Sequence, residues 1–427
     1  SRAILLNPRH ADAYNNLGVA LRAQGQFAAA VACYRRALAL RPGAANIYSN
    51  MGNALRDLGR FEAAAEALQQ ALRLSPDAPE CLYNLGLVHR DMGRSDRALA
   101  AFDKVIEALP DHAECHWDRA LTYLRRGDYR RGFAEYEWRW KLRRSPPREF
   151  KQPRWDGKPF AGKTLLVHWE QGFGDTIQFV RFLPMVKKLG GTVILECQPD
   201  LARFLAAADG VDRLVASGGP LPDFDFHVPL LSLPWLFETT VKTVPAKTPY
   251  LGVPPTGADV VPTLDPGALK IAIAWAGSAT HRDDRRRSCP FAHFLELAGV
   301  PGIALYSIQR GPAADDLPAA LGGPLVFDLG RGCKDFADNA ARLAQMDLVI
   351  TVDTAIAHLA GALAKPVWTL LSAACDWRWM DRGEHTPWYP TMRLFRQKTL
   401  GDWDGLFARV HAELAKTVAG RSSISIR

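Results

Sequence analysis

Cysteine is sparse in this sequence and never closely paired. Its seven residues (Cys33, Cys81, Cys115, Cys197, Cys289, Cys333, Cys375) are odd in number and never spaced as Cys-x-x-Cys. That excludes a disulfide framework and a structural zinc site, and points to a reducing compartment. Long uninterrupted apolar runs are also missing. The longest candidate, 348–374, is broken by Asp353, His358 and Lys365, so no segment reads as a membrane-spanning helix. Biased composition is absent as well: 48% hydrophobic and 23% charged residues are ordinary globular values, which sets aside disorder, collagen and coiled coil. At roughly 100–200 residues per domain, the 427 residues imply two or three domains. The chain starts at Ser1, without Met and inside a repeat, so the expectation is an N-terminus with earlier repeats before it and targeting left open.

What the sequence does have is a 34-residue period. Pro8, Pro42, Pro76 and Pro110 keep this step, as do Gly18, Gly52 and Gly86, and then Gly25, Gly59, Gly93 and Gly127. Each unit reads as two helices: small residues allow close approach, aromatic and Leu positions form an apolar stripe, and the Pro ends the second helix. The pattern resembles the tetratricopeptide repeat (TPR), with three full units at about 9–42, 43–76 and 77–110, a partial unit before them and a divergent one after. Such arrays present a concave surface to extended peptides. Asn16, Asn50 and Asn84 recur at one position and are candidate acceptor-binding residues reading peptide amides; satisfying neighbouring helix ends is the alternative. His112, Glu114, Cys115 and His116 lack the His-Glu-x-x-His spacing and a third ligand, so metal is not expected there. The net charge of +8 is concentrated between Arg119 and Lys151, with 11 basic and 4 acidic residues. No nucleic-acid motif accompanies this patch, and a solvated helix face is the expectation.

Beyond residue 162 the pattern alternates between strand and helix. Strands are expected at 163–169, 192–198, 213–216 and 224–229, with a helix over 175–189 after the first. A Pro- and Gly-rich stretch, 253–267, reads as a hinge. Further strands are expected at 271–276, 305–309, 325–329, 348–352 and 367–371, and a last helix at 401–418 that packs back across the hinge. Alternation of this kind gives parallel sheets flanked by helices, with ligands at the strand C-termini. The expected organisation is a repeat array (1–144), a joint (145–162), a first lobe (163–255), a second lobe (268–400) and a C-terminal helix and tail (401–427).

Four motifs fall at strand ends. Gly172 and Gly174 let a ligand approach the backbone, and Asp175 opens the helix, as a helix cap or as a functional carboxylate. Trp275, Gly277 and Ser278, followed by Arg282, Arg285, Arg286 and Arg287, suit a diphosphate, and Gln309 ends the next strand beside them. Asp353, Thr354 and His358 open a helix whose exposed amides can hold an anion; a packed, hydrogen-bonded histidine is the alternative. Trp377, Arg378, Trp379, Trp388 and Tyr389 form either a stacking wall or a packed corner.

Taken together, EQGFGDTIQF (170–179), AWAGS (274–278) with RRSCP (286–290), and VDTAIAHLAGALAKPVWTLL (352–371) resemble bacterial glycosyltransferases related to the heptosyltransferase family. The full length resembles the TPR–glycosyltransferase architecture of O-linked N-acetylglucosamine transferases. The resemblance implies an α plus α/β multidomain fold: an N-terminal TPR superhelix, then a GT-B unit of two Rossmann-like lobes. It implies an inverting, metal-independent, nucleotide-sugar-dependent glycosyltransferase, bacterial and cytoplasmic, with no cofactor. Asp175 matches the family's base, Arg287 a phosphate-neutralising cation, and Thr354 and His358 the donor-binding segment. The interval from Asp175 to Pro184 is longer than in typical heptosyltransferases, which argues against a lipopolysaccharide heptose acceptor. Ala355 replaces a frequent Gly or Ser, which leaves the donor open. The repeats favour a protein acceptor, flagellin by analogy, with no nucleic acid involved. The alternatives are a TPR adaptor with an inactive GT-B unit, or an enzyme acting on a glycan or lipid-linked acceptor.

Overall fold

The structure, a computed structural model, describes residues 2–143, 147–255, 260–263, 265–279, 284–317 and 325–424. His281, Arg282 and Asp283 of the arginine-rich run, Ser145 and Pro146 of the expected joint, and 256–259 of the hinge lie outside the described residues. The chain forms two compact units, divided between Pro147 and Arg148.

The first unit is helical throughout: α1 (Arg2–Leu6), α2 (Ala11–Ala23), α3 (Phe27–Leu40), α4 (Ala45–Asp57), α5 (Phe61–Leu74), α6 (Pro79–Asp91), α7 (Ser95–Ala108), α8 (Ala113–Arg126) and α9 (Tyr129–Tyr136). The two glycine series do different work. Gly25, Gly59, Gly93 and Gly127 have φ of 75°, 74°, 70° and 90°, the left-handed turn that ends the first helix of each pair. Gly18, Gly52 and Gly86 instead admit the partner helix, and a Cβ at these positions would lie within 2.6 Å of Tyr34, Leu68 and Phe102. Those three side chains, with Ala30, Ala64 and Ala98, are fully buried.

Charge is spent internally. Arg22 pairs with Asp57 at 2.6 Å and Arg56 with Asp91 at 2.8 Å, each reaching the first helix of the next repeat, and Arg90 pairs with Asp118. The basic stretch expected as a solvated face is laced with ion pairs: Arg119 to Glu135 and Asp103, Arg126 to Asp96, Arg131 to Asp128, and buried Arg139 to Glu137.

The second unit holds two parallel sheets. The first has β1 (Thr164–His168), β2 (Thr192–Cys197), β3 (Arg213–Ala216) and β4 (Phe226–Pro229) in the order β3-β2-β1-β4. The second has β5 (Leu269–Ala274), β6 (Ile303–Ser307), β7 (Val326–Asp328), β8 (Leu348–Val352), β9 (Val367–Leu371) and β10 (Met392–Arg396) in the order β10-β9-β8-β5-β6-β7. Strands such as β8 and β9 are buried along their whole length, as parallel strands covered on both faces must be. The flanking helices are α10 (Phe173–Phe179), α11 (Leu183–Lys187), α12 (Pro199–Leu205), α13 (Leu233–Leu236), α14 (Asp284–Arg287), α15 (Phe291–Glu296), α16 (Phe336–Ala344), α17 (Ala355–Ala362) and α18 (Trp403–Ile424).

Three expectations are refined. The helix foreseen over 175–189 is interrupted by a 3-10 turn, Val180–Phe182, just before Pro184, which has no N–H to continue the ladder. Residues 148–162 are not a free joint: Trp155 N–H donates to His227 O at 2.8 Å, His227 N–H to Pro153 O at 3.2 Å, and buried Trp155 packs on Phe160. This segment is stitched to the edge of the first sheet. Finally, α18 packs on the second sheet: Leu406, Phe407, Val410 and Leu414 join its core with Phe294 and Leu297.

Because Phe102 is fully buried and has no room to retreat, Gly86→Ala is expected to destabilise the repeat unit by about 1–3 kcal/mol. Gly43→Ala, with no atom within 4 Å of its Cβ, should stay within about 0.5 kcal/mol of the native chain. Urea unfolding followed by helix signal measures both, and equal midpoints for the two variants would contradict the close-approach reading.

Candidate active site

In an open parallel sheet a ligand crevice forms beyond the strand C-termini where strand order reverses. In the second sheet this point lies between β5 and β8, and in the first between β1 and β4. The loop after β5 carries Gly277, Ser278 and Arg287. The turn after β8 carries Asp353, Thr354 and His358, and the turn after β1 carries Gly172, Gly174 and Asp175. All these sequence-derived candidates therefore sit at switch points.

The two helix starts α10 and α17 meet directly. A Cβ on Gly174 would come within 2.7 Å of the His358 ring, so this glycine is required by the packing of one lobe on the other. Phe173 lies against Phe336 with ring centroids 5.0 Å apart. On the outer side, Arg203 reaches Asp335 at 3.2 Å and Asp338 at 2.9 Å.

Asp175 sits in the first turn of α10. One carboxylate oxygen, Oδ2, accepts the Gly172 N–H at 2.9 Å, and the other is held by the Arg378 guanidinium from the second lobe. The Asp175 side chain is 18% exposed and that of Arg378 8%. Arg378 Nε also donates to Gln178 Oε1 at 2.6 Å, and Nη1 to Asp376 Oδ1 at 2.9 Å. Arg181, one helical turn beyond Gln178, donates to Trp388 O at 2.6 Å and lies over the Tyr250 and Tyr389 rings at 4.3 and 4.7 Å. Gln178 Nε2 and Arg181 Nη2 are buried donors with no hydrogen-bond acceptor among the described residues.

The loop after β5 closes on Arg287. The Arg287 guanidinium lies over Gly277, where a side chain would collide with it. Gly277 N–H donates to Ser288 Oγ at 3.1 Å, Ser288 Oγ to Asp284 Oδ1 at 2.8 Å, and Arg287 Nε reaches the same oxygen at 3.4 Å. Ser278 is exposed on this loop. Two expected donor contacts are placed differently. Trp275 is 1% exposed, its ring packed on Phe291 at 4.5 Å and its Nε1–H given to Asp316 at 3.0 Å, so only its main chain faces the loop. Gln309 is fully engaged: its Oε1 accepts the Trp275 and Ala276 N–H groups at 3.0 Å, and its Nε2 donates to Ala276 O and Arg310 O. It clamps the loop and has no hydrogen-bonding capacity left for a ligand.

Thr354 caps α17, its Oγ1 accepting the Ile356 N–H at 3.2 Å. His358 is the packed histidine of the two alternatives: buried, 2.8 Å from the Tyr389 hydroxyl and stacked on Trp379. Burial, aided by the Arg378 and Arg181 charges, pushes its basicity well below the usual histidine range, so it carries no charge near neutrality. Burial likewise pushes the Asp353 carboxyl up to about 6, with the Asp376 charge adding to it and Trp379, Arg287 and Arg378 opposing it. The aromatic segment resolves as a packed corner: Trp377, Trp379, Trp388 and Tyr389 are all buried.

Gln178 and Arg181 were not among the sequence candidates, and Arg378 was read only as part of the aromatic loop, not as a partner of Asp175. A signal for two of them exists: Asp175, Gln178 and Arg181 recur at i, i+3 on an otherwise apolar stretch, marking a polar face. In the repeats, Asn50 Nδ2 donates to Asn15 Oδ1 at 3.0 Å, and Asn15 in turn lies 3.5 Å from exposed Asn16. The fourth unit has Asp118 at the position of Asn16, Asn50 and Asn84, bound by Tyr83 and Arg90. The histidines of the 112–116 run are used locally: His112 caps α8, and His116 lies against Pro110 O and Glu135, stacked on Trp138. Among the described residues no group of three His, Cys, Asp or Glu is placed to hold a metal ion, and no helix is long and apolar enough to cross a membrane.

Sequence profiles match segments of both units. TPR and tetratricopeptide repeat profiles match residues 11–43, 52–93 and 83–137, and the glycosyltransferase family 9 (heptosyltransferase) profile matches 332–395. Protein FlbA of Caulobacter vibrioides is 27% identical over 311 residues, covering 66% of this chain and 52% of that protein, so the chain spans about half the length of this relative. Among solved structures, MamA aligns at 24% identity over 32% of this chain and 80% of its own, with a TM-score of 0.30. YrrB, described as a TPR protein with an unusual peptide-binding site, aligns at 22% identity over 34% of this chain and 74% of its own, also at 0.30.

The raised Asp353 value has a testable sign. The unfolded chain releases this proton near the ordinary 3.8, whereas the folded chain holds it until about 6. Native stability relative to Asp353→Asn is therefore expected to fall as pH rises through that window and to level off above it. Urea midpoints of both proteins at pH 4 and pH 7 test this; a difference that is flat or grows in favour of the native chain contradicts it.

Proposed function

From a chain that joins tetratricopeptide repeats to a glycosyltransferase family 9 segment, we propose that residues 148–427 move a sugar from a nucleotide-sugar donor to a hydroxyl group, and that the repeats recruit the protein bearing it. The observation that carries the reading is that Asp175, Arg287 and the start of α17 lie at the switch points of two parallel sheets, with Arg378 reaching Asp175 from the loop after β9. Asp175 takes the proton of the acceptor hydroxyl, whose oxygen bonds to the anomeric carbon. The bond from that carbon to the diphosphate breaks, and its electron pair leaves with the nucleoside diphosphate. Attack from the face opposite the leaving group inverts the centre.

Arg287 and the N–H groups opening α17 receive the charge that develops on the diphosphate. In this proposal they stand where other transferases use a metal ion, so no cation is required. Gly277 brings the backbone close to the phosphates, and Asp353 sits beside them. The repeat surface near Asn16, Asn50 and Asn84 holds the acceptor, raising its local concentration.

The test is calorimetric titration of the full chain with UDP, GDP, ADP and CMP, without added metal. One nucleotide is expected to bind, and Arg287→Ala to weaken it at least about tenfold, or 1.4 kcal/mol. Absence of binding by all four would transfer the assignment to a TPR adaptor that uses the α/β unit as scaffold.

A further inference from the structure

Resting on that transfer reading, the geometry points to Arg378 as the positioning residue that fixes the Asp175 carboxylate, so that the base is set only when the two lobes are together. The two residues belong to different sheets. Asp175 and Gln178 lie on α10 beside the first sheet, whereas Arg378 lies in the loop between β9 and β10 of the second. Both α10 side chains bind the same guanidinium, Gln178 through Oε1 at 2.6 Å and Asp175 through Oδ1. Arg378 is therefore a pin from one lobe set into one helix of the other.

The pin is itself immobilised. Asp376 Oδ1 accepts both Arg378 Nη1–H at 2.9 Å and Arg378 N–H at 3.0 Å, and Thr386 Oγ1 donates to Arg378 O at 3.0 Å. The guanidinium lies 4.4 Å from the Trp377 ring centroid, and the neighbouring Trp379 is fully buried. On the carboxylate, Arg378 holds Oδ1 and the Gly172 N–H holds Oδ2 at 2.9 Å. Two directed contacts on different oxygens define the plane of the group and leave the other lone pairs to face a hydroxyl. Without Arg378 only the contact within its own turn remains, and the carboxylate turns about its side-chain bonds. Misplacement of a base by about 1 Å costs about 100-fold in rate.

Arg378 touches neither the leaving group nor the acceptor in this scheme; Arg287 and α17 serve the diphosphate. Removal of Arg378 is therefore expected to lower kcat and to leave donor affinity nearly unchanged. A merely structural arginine would lower both together, or lower only stability.

The experiment uses the full chain and follows release of nucleoside diphosphate from UDP-N-acetylglucosamine, UDP-glucose, GDP-mannose and ADP-glucose, with water in place of the acceptor hydroxyl. For Arg378→Ala, kcat is expected to fall by about 30- to 100-fold, with KM and the calorimetric nucleotide affinity within about threefold of native. Methylguanidinium at millimolar concentration is expected to restore at least about a tenth of native kcat by refilling the position. Gln178→Leu, which loosens Arg378 without removing its charge, is expected to lower kcat by about 3- to 10-fold. Native kcat in Arg378→Ala, an equal loss of nucleotide affinity, or a loss that methylguanidinium leaves unchanged overturns the assignment. If Arg378→Ala does not fold, native kcat in Gln178→Leu overturns it instead. A native chain that binds no nucleotide and releases none overturns the transfer reading and this inference with it; nucleotide binding and turnover that survive in the variants overturn this inference alone.

Discussion

The contact between Gly174 and His358 sets the spacing on which the rest of the second unit depends. Two strand-to-helix turns from different sheets meet there, backbone against ring, with no space for a methyl group. Once α10 is seated on α17 at that distance, the next residue, Asp175, falls within reach of Arg378, and Gln178 and Arg181 follow at helical spacing against the same aromatic corner. Burying a charged imidazole at such a contact would be costly, and His358 is held neutral there. Positive charge is left to the arginines, which carry enough directed N–H groups to be buried when several acceptors surround them.

That arrangement also explains why the arginines and acids occur together. A buried guanidinium with one partner costs more in desolvation than it regains, whereas one with a carboxylate, an amide oxygen and a second carboxylate is compensated. Arg378 has this set in Asp175, Gln178 and Asp376. Asp353 is the member least well served, and its raised proton affinity records that shortage. The helix start at Thr354 and the arginine over Gly277 lie on either side of it in the chain order of the second sheet.

Much of this was legible in the sequence because it is periodic or punctuated. The 34-residue step located the helix pairs, and buried parallel strands stood out as short apolar runs between turn residues. β10 was not foreseen: it is an edge strand reading Met-Arg-Leu-Phe-Arg, with Arg393 and Arg396 only partly buried, so it lacks the continuous apolar run of β8 or β9. Trp275 and Gln309 stood at strand ends and looked like ligand contacts, but a strand end has an inner side as well. One packs into the core and the other closes the loop, which sequence spacing does not distinguish. Arg378 was invisible as a partner of Asp175 because the two are joined by tertiary packing alone.

The ion-pair ladder of the repeats has a consequence for how such an array changes length. Each interior module offers an acid to the module before it and an arginine to the module after it, as Asp57 and Arg56 do between Arg22 and Asp91. Duplication or loss of a whole 34-residue module between those ends leaves every acid opposite an arginine. A change of any other length breaks the series at once. The ladder therefore acts as a reading frame for the fold, permitting recombination in whole modules while rejecting fractions of one.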